Sequence, residues 1–165
     1  MFAQMPAALA TDILEFNHAN ERRLYKAAID AVAQSRHVRP VFIERQPRAE
    51  QHALLTASLA RPQFALAADT LLRNWLLKKH SSILTSFLDS LAIKHDNGVV
   101  EQLPKIVEDS TLSGAVENLL SKHPHDIVAL YLIAFNSMNG ESWPNLDALL
   151  KSDTRLQLKR EPATA

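Results

Sequence analysis

The sequence contains no cysteine among its 165 residues. Disulfides, thiol catalysis and thiolate metal sites are therefore excluded, and the chain suits a reducing compartment. Glycine is also scarce, with only three residues in the whole chain. Phosphate loops and dinucleotide-binding loops need several glycines close together, because the backbone must approach the ligand there. These two absences remove thiol chemistry and glycine-lined nucleotide sites from the candidate functions.

The chain has no net charge, since eighteen Lys and Arg are balanced by eighteen Asp and Glu. A global attraction to nucleic acid or to an anionic membrane is therefore missing, and nucleic acid is not the expected partner. The longest nonpolar run, 127–135, has nine residues, whereas a membrane span needs ~20. The first fifteen residues lack the basic and apolar regions of a secretory signal. We expect a cytoplasmic protein without a membrane partner.

Helix-forming residues dominate what is present. Hydrophobic residues make up 47% and charged residues 22% of the chain, which are ordinary values for a globular protein, and leucine and alanine are abundant. Apolar residues recur with the 3.6-residue period of helices, and no segment sustains a period of two, so we predict an all-α bundle of about seven helices. The predicted helices include 21–34, 47–59, 63–79, 83–93, 112–121, 124–138 and 143–150. One face of 47–59 carries Ala53, Leu54, Ala57 and Ser58.

The length is that of one domain with a substantial core, and we predict a single helical domain over residues 1–153. Residues 1–19 are apolar and alanine-rich with only a short helical pattern, and we expect them to be loosely attached. Residues 154–165 contain Lys159, Arg160 and Pro162, and we expect a flexible C-terminal tail there.

Two predicted helical hairpins, 72–93 and 116–137, align with each other at an offset of 44 residues. HEAT-type hairpins repeat with a similar period of roughly 40–47 residues, so a HEAT-like duplication with two stacked hairpins is one interpretation. The other is that two unrelated hairpins with equal connections align by chance. The identical pairs are Asn74 and Asn118, Leu76 and Leu120, Lys78 and Lys122, Ile83 and Ile127, and Leu88 and Leu132.

Arginines cluster around a corner that two prolines predict between residues 35 and 47. A guanidinium group can bind a phosphate or carboxylate through two parallel N–H groups, and Phe42 could stack on a base. The alternatives are an ordinary solvated surface in which the arginines pair with Glu44 and Glu50, or an intramolecular clamp. The candidate anion or partner contacts are Arg36, Arg39, Arg45 and Arg48.

Residues 91–98, Leu-Ala-Ile-Lys-His-Asp-Asn-Gly, resemble the apolar-His-Asp-x-Gly signature of HD-domain metal-dependent phosphohydrolases. The resemblance implies a divalent metal held by the pair His95 and Asp96, by an upstream histidine and by a distant aspartate, with a metal-bound water as the nucleophile. Only His95 and Asp96 match the family, because Lys94 and Asn97 replace residues that are usually apolar. Both replacements suit an exposed turn, so a solvated helix end is the favoured interpretation of these residues.

Motifs of other enzyme classes are missing, including Gly-x-Ser-x-Gly and His-Glu-x-x-His. We therefore expect a non-enzymatic helical domain that binds a protein partner and uses neither cofactor nor metal. An HD-like phosphohydrolase with His95 and Asp96 as metal ligands is one alternative. Nucleic-acid binding through the segment from Arg36 to Arg61 is the other.

Overall fold

The computed structural model describes residues 1–138 and 140–158. Across these residues the fold is all-α, as predicted, and contains no β-strand. None of the helices described has the length and apolar content needed to cross a bilayer. The helices are α1 (Ala7–Asn20), α2 (Arg22–Ser35), α3 (Pro40–Glu44), α4 (Arg48–Leu59), α5 (Ala65–Lys79), α6 (Ser81–Ser90), α7 (Asp109–Lys122), α8 (His125–Met138) and α9 (Pro144–Ser152), with 3₁₀ turns at Phe2–Gln4, Pro62–Phe64 and Thr154–Leu156.

The described residues form two compact units, 1–75 and 76–158, and the boundary falls within α5. The sequence predicts one domain over 1–153 and about seven helices. The first unit accounts for the larger number of helices, because it contains a full-length α1 and the single-turn helix α3. Pro40 occupies the first turn of α3, where a missing backbone N–H costs nothing.

The first nineteen residues, for which the sequence predicts loose attachment, form a 3₁₀ turn and most of α1 with several buried side chains. Ile13 and Leu14 of α1 are fully buried, and α1 packs against α2 and α4. The buried amide of Asn17 donates to the carbonyl oxygens of Ile13 at 2.8 Å and Leu71 at 3.0 Å. It also accepts a 2.9 Å hydrogen bond from Asn74. Apolar burial and a fully bonded amide therefore hold α1 in the first unit.

Helix α4 buries a different face from the one predicted. Ala53 and Ala57 are exposed, although the sequence pattern placed them with Leu54 and Ser58 on one face. Alanine gains little from burial, so its spacing is a weak guide to the inward direction of a helix. The buried residues of α4 are Gln51, His52, Leu55, Ser58 and Leu59.

Three aromatic side chains form the centre of the second unit. The rings of Phe87 and Phe135 lie 5.4 Å apart in an edge-to-face arrangement, and Trp143 lies 5.4 Å from Phe135. The Trp143 indole N–H donates a 2.8 Å hydrogen bond to the Pro104 carbonyl, and its backbone N–H donates to Asn136 Oδ1 at 2.8 Å. These bonds tie the start of α9 to α8 and to the connection before α7.

The described part of the predicted C-terminal tail, residues 154–158, contains a 3₁₀ turn at Thr154–Leu156. Leu156 is fully buried in a 3₁₀ turn that contacts α8 and α9. Arg155 donates to the carboxylates of Glu117 and Asp153, and these hydrogen bonds lower the pKa of both carboxyl groups. Residues 159–165 of the predicted tail lie outside the described residues.

Candidate functional site

Four polar side chains from three helices of the first unit form a connected network. His18 lies near the end of α1, Tyr25 lies in the first turn of α2, and Arg48 and Gln51 belong to α4. Residues three apart on a helix share a face, so Arg48 and Gln51 both reach the place where α4 packs against α1 and α2. Helix packing thus brings together residues that lie far apart in the sequence.

Gln51 is the buried centre of this network. Tyr25 Oη donates a 2.6 Å hydrogen bond to Gln51 Oε1. Gln51 Nε2 in turn donates a 2.9 Å hydrogen bond to the carbonyl oxygen of Ile43 in α3. Leaving such a buried group without a partner would cost about 1–3 kcal/mol, so the two bonds both satisfy the amide and tie α2, α3 and α4 together.

The guanidinium group of Arg48 is held by three contacts. Its Nη1 donates to Gln51 Oε1 at 3.1 Å, and its Nη2 lies 2.9 Å from His18 Nε2. Arginine can only donate, so His18 Nε2 must be the acceptor and the imidazole is neutral with its proton on Nδ1. The guanidinium carbon also lies 6.0 Å from the Tyr25 ring centroid, within cation–π range. Arg48 is therefore exposed yet positioned by its neighbours.

The charge states in the network agree with these roles. Burial lowers the pKa of His18 below 6.5, and the positive charges of Arg48 and Arg22 lower it further. Burial raises the pKa of Tyr25 above 10, although the neighbouring positive charge of Arg48 acts in the opposite direction. At neutral pH His18 therefore accepts a hydrogen bond from Arg48. Tyr25 keeps its proton and remains a donor. The two arginines also make the surroundings of His18 electrostatically positive.

A cavity of about 360 Å³ opens beside the network, and we call it the Arg48 pocket. Three cationic side chains and one carboxylate line it, which gives a net charge of about +2 when His18 is neutral. Neither Arg22 nor Lys26 forms an ion pair within residues 1–138 and 140–158. The polar lining consists of His18, Arg22, Tyr25, Lys26, Glu44, Arg48 and Gln51.

Arg48 also lines a second, larger cavity of about 690 Å³. Alanine is the commonest residue type in its walls, and His52 and Glu15 are among the lining residues. His52 is buried, and its Nε2 has no hydrogen-bond partner among the described residues. Burial and the nearby Arg48 charge lower the pKa of His52, whereas Glu15 opposes this shift. His52 is therefore a buried neutral imidazole.

The four predicted arginine contacts fall into two groups. Arg36 directly follows α2, while Arg39 and Arg45 flank α3. These three are exposed at the predicted corner. Arg48 instead belongs to the polar network. The structure thus places three of the candidates around one turn of helix and the fourth at the pocket.

Exposed apolar side chains accompany the arginines at this corner. Phe42 is 62% exposed, Val38 is 41% exposed and Val41 is 37% exposed, while Ile43 of the same turn is buried and anchors α3. Three neighbouring exposed apolar residues are more than the isolated ones that most surfaces carry. The corner surface, as we use the term, consists of Arg36, Val38, Arg39, Val41, Phe42 and Arg45.

The residues of the HD-like match do not form a metal centre. The backbone N–H of Gly98 donates to His95 Nδ1 at 3.1 Å, so the imidazole proton lies on Nε2, which is 3.1 Å from Asp89 Oδ1. Both ring nitrogens are thereby occupied. Asn97 and Gly98 have positive φ, as a two-residue hairpin turn requires, and Asp96 pairs with Val99 across that turn. His95 and Asp96 therefore shape a turn.

Across the part of the chain that the structure describes, no three His, Cys, Asp or Glu side chains form a group that could hold a metal ion. The resemblance implies two further ligands beside His95 and Asp96, an upstream histidine and a distant aspartate. The residues present therefore do not fit the metal that the resemblance implies.

Sequence reasoning missed His18, Tyr25 and Gln51. The only local signal is a glutamine one turn before Leu55, on the helix face that Leu55 and Leu59 bury. Such a glutamine needs buried partners, but its partners Tyr25 and Ile43 become visible only in the folded chain.

No model of a known protein family matches the chain, and no curated protein or solved structure is significantly similar to it. Side-chain geometry is therefore the basis on which a function can be proposed.

Proposed function

We propose that this chain is a non-enzymatic helical domain that binds an acidic segment of a partner protein through the corner surface. The observation that carries the proposal is the exposed Phe42 of the short helix α3, which Arg39 and Arg45 flank at its two ends. Aromatic and arginine side chains are enriched at the centres of protein interfaces. A protein partner is thus a better match for this surface than a small molecule.

The charge of the corner surface indicates the chemistry of the partner. Arg36, Arg39 and Arg45 supply three positive charges, and Glu44 is the carboxylate within that stretch. Opposite charge on the partner speeds encounter and selects the partner, while an apolar side chain packed on Phe42 supplies the affinity. The proposed ligand is therefore a segment in which carboxylates flank one large apolar residue.

The backbone of the corner supports a stable surface. At the end of α2 the N–H of Val38 bonds to the Ala33 carbonyl at 3.0 Å and the N–H of His37 bonds to the Gln34 carbonyl at 3.1 Å. With His37 at positive φ, these two bonds form a Schellman motif. Buried Ile43 and its bond from Gln51 then fix α3. A preorganised surface loses less entropy on binding than a mobile one.

Selection of random displayed peptides on the purified full chain tests this proposal. We expect enriched peptides to contain Asp or Glu around one aromatic or aliphatic residue. A synthetic copy of an enriched peptide should bind at least about tenfold more weakly to Phe42→Ser, as expected for an interface hot spot. Leu66→Ser is the matched control, because Leu66 is 83% exposed in the same unit but lies in α5.

Charge reversal provides the second arm of the test. Arg39→Glu should weaken binding of the selected peptide. Added salt should also weaken binding of the peptide to the unmodified chain. Arg73→Glu in α5 is the charge-matched control. Enriched peptides without acidic residues, or binding that Phe42→Ser leaves unchanged, would refute the proposal.

We also infer that the helical-hairpin repeat reflects a HEAT-like duplication. Its support is that α5 and α7 begin 44 residues apart, at Ala65 and Asp109, and α6 and α8 begin at Ser81 and His125 with the same offset. An experimental structure tests the inference by superposition of 65–90 on 109–134. Different crossing angles within the two pairs would contradict it.

A further inference from the structure

The Arg48 pocket has features of an anion site that the corner surface does not share. The surface consists of apolar and cationic groups around a turn, whereas the pocket is a concave space of about 360 Å³ with a buried polar wall. That volume lies at the lower end of the range of small-molecule sites, about 300–1,000 Å³. No charged residue of the pocket belongs to the corner surface, so the two sites can be tested separately.

Arg48 lines the pocket and is held in place by its neighbours. Two of its N–H groups are used by Gln51 and His18, and these bonds keep the planar fork in place. A guanidinium group has five N–H donors, so three remain for a ligand. Because Gln51 is itself fixed by Tyr25 and the Ile43 carbonyl, Arg48 need not be ordered when a ligand binds.

The charge balance of the pocket points to a dianion. Arg22, Lys26 and Arg48 face one carboxylate, Glu44, which leaves about two positive charges to be neutralised. A phosphate monoester carries about −1.5 to −2 charges near neutral pH, and a carboxylate carries only one. Three oxygen acceptors on a phosphate also suit donors that approach from α2 and α4.

We propose that the Arg48 pocket binds a phosphate dianion, either free or as the monoester of a small molecule, with Arg48 as the fork that grips two phosphate oxygens. Arg22 and Lys26 supply the remaining positive charge from consecutive turns of α2. Gln51 and His18 hold Arg48 in position and act through it. The site is independent of the partner-binding role proposed above.

The test is an NMR titration of the ¹⁵N-labelled full chain at constant ionic strength. Inorganic phosphate, glycerol 3-phosphate and acetate are added in separate experiments. We expect saturable shifts of the Arg48 Nε–H and the Gln51 side-chain amide with both phosphates. Acetate should bind about tenfold more weakly or not at all, because it carries half the charge. Tighter binding of glycerol 3-phosphate would identify an ester as the ligand, and equal binding would identify the free anion.

Variants distinguish a built site from general attraction to basic residues. Arg48→Lys keeps the positive charge but loses the planar fork of N–H donors. It should weaken phosphate binding by about tenfold. Arg22→Ala should also weaken phosphate binding. Arg23→Ala should not, because Arg23 is next to Arg22 in α2 but does not line the pocket. Because Arg22 and Arg23 are both exposed, these two variants keep the test valid even if Arg48→Lys perturbs the network. Shifts that do not saturate at tens of millimolar, equal binding of acetate, or equal effects of the two alanine variants would overturn the proposal.

Discussion

Arg48 and His18 are thirty residues apart in the sequence, yet Nη2 of Arg48 lies 2.9 Å from Nε2 of His18. The contact exists only while the imidazole is neutral, since the guanidinium cannot accept a hydrogen bond. Protonation of His18 would place two positive charges side by side. This pair therefore makes the packing of α1 on α4 sensitive to pH.

We predict that the free energy of unfolding decreases as the pH falls from about 7 towards 5. The pKa of both His18 and His52 is lowered in the folded chain, mainly by burial, from an unfolded value of 6.5. Below that value the unfolded chain binds more protons than the folded one, so stability is present above pH 6.5 and is lost as the pH falls through the folded pKa values. Urea unfolding at several pH values measures the slope.

A paired substitution checks the cause of this slope. His18→Gln combined with His52→Gln should reduce the pH dependence between about pH 5 and 7, whatever it does to stability at pH 7.5. An unchanged slope in the double variant would show that other groups are responsible.

Trp75→Ala should lower the free energy of unfolding by roughly 3–5 kcal/mol, the usual cost of removing a large buried aromatic side chain. Trp75 is fully buried, and its indole N–H donates a 2.9 Å hydrogen bond to Asp12 Oδ2. Leu66→Ala, at an exposed position of the same helix, should cost less than about 0.5 kcal/mol. Equal effects of the two substitutions in chemical denaturation would contradict the burial of Trp75.

Ala92→Gly should stabilise the chain by about 1 kcal/mol. Ala92 has φ of +54° at the end of α6, where the bonds Ile93 N–H to Leu88 O and Ala92 N–H to Asp89 O form a Schellman motif. Glycine adopts this left-handed conformation without the steric penalty of a Cβ atom. Ala148→Gly, in the interior of α9, should instead destabilise by about 0.5–1 kcal/mol. Urea denaturation of both variants checks the opposite signs.

The helical class and most helix positions could be predicted because each depends on local sequence. The start of α9 at Pro144 illustrates this, since a proline fits the first turn of a helix. The packing of residues 1–19 could not be predicted in the same way. In the sequence Asn17 is only a polar interruption of the α1 pattern, because its partners Leu71 and Asn74 come from α5.

The candidate site was predictable only in part, for a related reason. Proline and arginine spacing located the corner surface, because prolines act on their own neighbours. The Arg48 pocket depends on Gln51, which bonds to Tyr25 twenty-six residues away. A buried amide of this kind is indistinguishable from an exposed one in the sequence, and the alanines of α4 give no compensating signal about which face turns inward.

The last prediction is that the corner surface has little affinity for nucleic acid. Only three arginines belong to it, and Glu44 lies within the same stretch of a chain with no net charge. Release of two or three counterions gives weak binding at physiological salt, because affinity rises steeply with the number of phosphates contacted. Titration of labelled single-stranded and duplex oligonucleotides at about 50 and 200 mM salt measures both the affinity and its salt dependence. Micromolar binding at the higher salt that disappears when Arg36, Arg39 and Arg45 are changed to Ala would make nucleic acid, and not an acidic protein segment, the partner of this surface.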